Sequence, residues 1–254
     1  MYFDSHAHLT SDSIYPEIDD CLQRAQKAGV SHIANICTDP LTLARGLDLV
    51  KKNPWVYNVG ATTPHDVEKE GEEVFPIFEK AAREGQLVAV GETGLDYHYE
   101  HSSKELQKEF LVRYMALAEE LNLPVVIHCR EAFDDLFTIA GGIKVPLILH
   151  CFTGSLQEAE KVIEKGWYLS LSGIVTFKRS EELCQVAKIV PLDQLLIETD
   201  TPYLAPMPYR GKQNEPAFIA YTAKHIAQLK EISASELATA TTANAMRVFD
   251  IANQ

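Results

Sequence analysis

The chain lacks any apolar run of about 18 residues, the length a transmembrane helix needs, so no membrane span is expected. Its start carries no basic segment leading into an apolar stretch. That leaves no secretory signal to read and makes a cytoplasmic location the expectation. Cysteine is sparse: Cys21, Cys37, Cys129, Cys151 and Cys184 are odd in number, scattered, and never spaced CxxC. This argues against a disulfide framework or a thiolate zinc site and suits reduced thiols. Basic residues are outnumbered, 23 Lys and Arg against 36 Asp and Glu, for a formal net charge of −13. Such a balance disfavours a broad nucleic-acid-binding surface, although bound divalent cations can reverse the field over a small phosphate site. No linker, low-complexity tract or internal repeat divides the chain, so residues 1–254 are expected to form one domain.

What the sequence does contain is an alternation. Eight short apolar runs begin with "YFDSH" near the start and continue through "HIANIC" (32–37), "WVYNVG" (55–60) and "LVAVGE" (87–92). They end with "PVVIHC" (124–129), "PLILHC" (146–151), "WYLSLSG" (167–173) and "QLLIET" (194–199). Between them lie stretches of helical period, among them 17–29, 102–121 and 155–166, where Ser155 with Glu158 forms a capping pattern and Gly166 a stop. The segments after residue 213 supply the last outer helices. Continuous rather than alternating apolar runs suit strands buried on both faces, and strands alternating with helices imply parallel pairing through right-handed crossovers. A TIM-like (β/α)8 barrel is the expected fold, ahead of a doubly wound open sheet.

In such a barrel, functional groups belong at the C-terminal ends of the strands. His6 and His8 stand two apart, on one strand face, at the end of the first run. Glu92 ends the fourth run, His128 and His150 lie at the ends of the fifth and sixth, and Asp200 follows the eighth. Four imidazoles and two carboxylates converging on one rim, without thiolates, suit an open catalytic site for Zn, Mn, Co or Mg. Six donors exceed the need of one tetrahedral ion, so two divalent ions bridged by Glu92 are expected. Cys129 and Cys151, adjacent to His128 and His150, should face the other way as core thiols.

Six blocks in order carry a resemblance: "DSHAHL" (4–9), "GETGLDYH" (91–98), "PVVIHCR" (124–130), "HCFTG" (150–154), "ETDTPYLAPMPYRGKQNEP" (198–216) and "TTANAMRVF" (241–249). Together they resemble the signature of the TatD family of metal-dependent deoxyribonucleases, among the amidohydrolase-like barrels. The resemblance spans residue 4 to about residue 249 and implies a divalent-metal phosphodiesterase. By motif it places ligands at His6, His8, Glu92, His128, His150 and Asp200, the same six residues. The chain departs from the family where "G-[IV]-H-P-H" commonly follows the third strand: it reads "GATTPHD" (60–66), with Thr63 in place of the first histidine and His65 retained.

Phosphodiester hydrolysis needs an activated water, charge stabilisation at the phosphoryl oxygens and a protonated leaving group. Asp200 is the candidate to orient the water and accept its proton, with Glu92 beside it. Arg130, Lys178, Arg210 and Lys212 are candidate phosphate contacts, His65 a loop contact, and Tyr203 and Phe152 candidate base-stacking rings. His32, His98, His101 and His225 have no such placement; His98 lies in the "GLDYH" block, and the other three read as structural or solvent-facing. With so acidic a chain, the expected substrate is DNA engaged at single-stranded or accessible ends by a monomer. Two other readings remain: a metal-dependent amide or ester hydrolase such as a D-aminoacyl-tRNA deacylase, and a metal-binding interaction protein.

Overall fold

The computed structural model describes residues 1–251. All eight runs form strands: β1 (Tyr2–Ala7), β2 (Val30–Cys37), β3 (Val56–Gly60), β4 (Ala89–Asp96), β5 (Val125–Arg130), β6 (Leu147–Leu149), β7 (Tyr168–Leu171) and β8 (Leu195–Ile197). They pair in parallel in chain order. Just past β8, Thr201 bridges Ala7, and Asp200 N–H donates to the His6 carbonyl at 2.9 Å. These contacts draw β8 onto β1, giving a (β/α)8 barrel rather than an open doubly wound sheet. Helices α1 (Ile18–Lys27), α2 (Pro40–Lys52), α3 (Val67–Arg83), α4 (Lys104–Leu121), α5 (Phe133–Ile139), α6 (Leu156–Glu164), α7 (Glu181–Ile189), α8 (Ile219–Leu229) and α9 (Ala234–Val248) surround it. The capping pattern at 155–158 forms in both directions: Ser155 Oγ accepts from Glu158 N–H, and Glu158 Oε2 accepts from Ser155 N–H at 2.6 Å. Among the described residues, no helix is long and apolar enough to cross a membrane.

The core has two layers because each strand is covered on both faces. Ile33, Val56, Val90, Val125, Leu147 and Leu195 pack outward against the helices. Phe3, Ala34, Val59, Ala89, Val126, Ile148 and Leu196 fill the barrel, with Phe249 packed among them. Two steps above Val126 and Ile148, strand period places His128 and His150 on that same inward face.

The same period fails for β1 and β4, and the failure positions the site. Between Asp4 and Ala7, β1 advances three residues while β2 advances two; between Val90 and Thr93, β4 does the same against β5. Each is a β-bulge, which re-aims the side chains beyond it. His6 and Glu92 lie an odd number of residues from Phe3 and Ala89, yet they face inward and meet His150. β4 also continues past Glu92 to Asp96, so Glu92 is inside the strand rather than at its end. Gly94, at φ +146°, permits the tight approach of β5: a Cβ there would stand 1.9 Å from the His128 carbonyl oxygen.

Candidate metal centre

Above the inner apolar layer, six side chains from five strands or strand ends converge. The Glu92 carboxylate lies at the middle. Its Oε2 is 3.4 Å from His6 Nε2 and 3.6 Å from His8 Nε2, and its Oε1 is 2.8 Å from His150 Nε2 and 3.0 Å from His128 Nδ1. Asp200 Oδ1 adds to the first group, 3.5 Å from His8 and 3.8 Å from His6. The paired nitrogens are 3.3 Å apart in both groups. These nitrogens and oxygens crowd together without a thiolate, which is the donor chemistry of a divalent-ion site.

Carboxylates behind the imidazoles fix which nitrogen faces the cluster. Asp96 Oδ2, buried, takes the far nitrogen of His128, Nε2, at 2.8 Å, so Nδ1 points at Glu92. Glu198, fully buried, lies 3.3 Å from His150 Nδ1, so Nε2 points at Glu92. Such outer carboxylates orient metal-ligating histidines and raise their basicity. Asp4, at the foot of the site, accepts from Thr199 Oγ1 and from Thr199 N–H at 2.6 and 2.9 Å.

The electrostatics follow from burial opposed by these pairings. Burial depresses His150, but Glu92 and Glu198 outweigh it and hold its pKa well above the ordinary imidazole value. His128 is likewise held up against burial by Asp96 and Glu92, and His8 by Asp200 and Glu92. His6 shows the opposite: burial, reinforced by His150, lowers it to about 4. Burial would raise Glu92, yet His150 and its other imidazole neighbours hold it well below the usual carboxylate range. Asp4 is pushed up to about 8 by burial despite its Thr199 bonds.

The cluster floors a cavity of about 940 Å³ that opens at the C-terminal rim. Arg130, His65 and Tyr203 line it. Arg130 lays its guanidinium over Tyr99 at 4.9 Å, and among the described residues it has no acidic partner. His65 Nε2 is 3.6 Å from Asp96 Oδ2. Tyr203 is 58% exposed, edge-on to His8 at 6.0 Å. Thr63 lines the wall too, but its hydroxyl donates to Asp66 at 2.9 Å and is committed to the start of α3.

Other candidates lie elsewhere. Lys178, Arg210 and Lys212 are exposed outside this lining, with Arg210 stacked over Phe177 at 4.5 Å. Phe152 is buried against Phe133 and offers no face for a base. Cys129 and Cys151 both border the cavity rather than facing fully away, and Cys151 Sγ contacts Ser172 Oγ at 3.2 Å. Burial raises both thiols, Cys151 also through Asp200, which keeps them protonated and poor ligands. His98 pairs with Glu131 at 2.7 Å, and His32 stacks on Phe3.

Asp96, Glu198 and Asp4 are the site residues that sequence reasoning passed over. The available signal was position: each lies two or four residues from a candidate ligand, at the end of an apolar run or beside it.

The sequence from residue 3 to residue 250 matches the family model described as TatD related DNase. An uncharacterized metal-dependent hydrolase of Bacillus subtilis, YabD, is 40% identical over 254 residues, covering 99% of this chain and 100% of the relative. A protein of Erwinia tasmaniensis named 3'-5' ssDNA/RNA exonuclease TatD is 34% identical over 258 residues, covering 98% of this chain and 100% of its own. The crystal structure of YJJV, a TatD homolog from Escherichia coli, superposes with a TM-score of 0.92 at 29% identity, covering 98% of each chain.

Proposed function

The chain belongs to the TatD-related DNase family and is a metal-dependent hydrolase; from that premise we propose that it cleaves phosphodiester bonds at accessible ends of single-stranded nucleic acid, using two divalent ions. The observation that carries this reading is the division of Glu92, whose two oxygens each face a different pair of imidazoles. His6, His8 and Asp200 with Glu92 would hold one ion, and His128 and His150 with Glu92 would hold the other. Mg, Mn, Zn and Co all accept such donors. When bound, the ions supply Lewis-acid charge to the phosphoryl oxygens and acidify a water.

The protein's own groups do the rest. Asp200 orients the water and takes its proton, its carboxylate standing beside both His8 and His6 at the cavity floor. Arg130, a cation without an acidic partner among the described residues, binds the neighbouring phosphate. His65 contacts the substrate from the wall, and Tyr203 stacks a base at the mouth. The inner apolar layer closes the cavity below, so substrate reaches the site from the rim alone. The name of the Erwinia relative, an exonuclease of single-stranded DNA and RNA, supports a single-stranded end as the substrate.

Metal-supplemented hydrolysis of linear and circular single-stranded DNA of one sequence, beside D-aminoacyl-tRNA, tests the reading. Linear DNA is expected to shorten from one end while the circle survives. Equal cleavage of the circle would refute end entry, and deacylation without phosphodiester cleavage would refute the nuclease.

A further inference from the structure

The rim of the cavity is electrostatically lopsided. On the side built by the loops after β1 to β5, the lining carries Asp12, Asp39, Asp66 and Glu131. Arg45 on that side is committed to Asp12 at 2.7 Å, which leaves Arg130 as its cation free of an acidic partner. The loops after β7 and β8 carry the reverse sign. Lys178, Arg179, Arg210 and Lys212 are all exposed there, and none is ion-paired among the described residues.

These four cations belong to one surface because the two loops are packed together. Gly173 lies so close that a Cβ would stand 2.2 Å from the Leu204 carbonyl oxygen. Met207 N–H donates to Thr176 Oγ1 at 2.8 Å, and Arg210 stacks over Phe177, next to Lys178. Lys212 lies 5.8 Å from the Tyr209 ring. Of the acids that follow at the start of α7, Glu182 is turned onto the backbone N–H of Leu156. The ridge is continuous with the cavity, since Ile174, Tyr203 and Leu204 line its wall.

We propose that the nucleic-acid strand leaves the cavity across this ridge, Lys178, Arg179, Arg210 and Lys212 holding phosphates upstream of the bond that is cut. A polyanion whose end is in the cavity must exit over one side of the rim, and beyond Arg130 the β1–β5 side is the more acidic one, so the basic side is favoured. The inference rests on the phosphodiesterase reading above, so binding and cleavage are measured separately.

The experiment compares two fourfold Lys/Arg→Gln variants that lower net charge equally. One changes Lys178, Arg179, Arg210 and Lys212; the control changes Lys27, Lys52, Lys165 and Lys188, exposed at the C-terminal halves of helices or just beyond them, facing away from the rim. Binding of a labelled single-stranded 12-mer with non-hydrolysable terminal linkages is followed by anisotropy across a salt series, and hydrolysis of a dinucleotide and an ordinary 12-mer is measured beside it. Each phosphate contact on single strands contributes a slope of about −0.7 in log affinity against log salt. The ridge variant should therefore lose up to about 2.8 of slope, or about 50-fold of the weakening between about 50 and 200 mM salt. The control should keep the slope, and the dinucleotide should be cut equally by all three proteins. Equal slopes in the two variants, no measurable binding by the wild type, or an equal loss on the dinucleotide would overturn the ridge. A ridge-dependent slope without hydrolysis by the metal-loaded wild type would sustain the ridge and refute the nuclease.

Discussion

Replacing Asp96 by Asn should weaken one metal ion and leave the other alone. Asp96 Oδ1 accepts from the backbone N–H groups of His98 and Tyr99 at 3.0 and 2.9 Å, so an asparagine must keep its oxygen there. Its amide nitrogen is then forced to the Oδ2 position, 2.8 Å from His128 Nε2. A donor facing Nε2 makes that nitrogen the acceptor and moves the imidazole proton to Nδ1. Nδ1 is the atom that faces Glu92 Oε1 at 3.0 Å and would bind the ion. Loss of an outer-shell partner of this kind costs about 10–100-fold in metal affinity, or about 1.4–2.7 kcal/mol. His6 and His8 make no contact with Asp96, so their ion should keep its affinity within about twofold, the error of such a titration. Calorimetric titration of the metal-free protein with Mn2+ or Zn2+, in competition with a chelator, resolves the two events. Two unchanged affinities, or two that fall equally, would refute the assignment of Asp96 to His128 and with it the division of the site.

Two further outcomes follow from the same geometry. His6→Ala combined with His8→Ala removes both imidazoles facing Glu92 Oε2, so elemental analysis after reconstitution should find one ion fewer per chain than in the wild type; unchanged stoichiometry would make the opening motif structural. The pH response has a definite sign. His8 and His128 are held above the ordinary imidazole value and His150 well above it, each against burial and through neighbouring carboxylates. Groups raised in this way stabilise the metal-free protein fully below their unfolded pKa of about 6.5 and lose that contribution as pH rises through the folded value. Divalent ions need the same nitrogens deprotonated, so they bind more tightly as pH rises. The gain in Tm on adding metal should therefore grow from about pH 6 to about pH 8, and a gain that shrinks over that window would contradict these pairings.

The parts of this protein that depend on local pattern were legible in its sequence. The eight apolar runs are long enough, and hydrophobic enough on both faces, to be buried parallel strands wherever they pair. Ser155 and Glu158 cap α6 through contacts three residues apart. His128 and His150 follow Val126 and Ile148 by two residues, so the identity of the inner layer also sets their direction. Tertiary structure decided the rest. The bulges that turn His6 and Glu92 inward are differences of register between neighbouring strands, and no single strand carries that information. Asp96 and Glu198 become partners of particular histidines only because the closed barrel turns separate strand ends toward one another: Glu198 is 48 residues from His150, with β7 between their strands, and Asp96 is 32 from His128 on the neighbouring strand. A carboxylate in a motif gives no sign of which imidazole it will face. For the same reason Arg130 and Arg210 look alike in sequence, yet one lines the cavity and the other stands outside it. Strand period aims the first inward, and the packing of one loop on another holds the second at the rim.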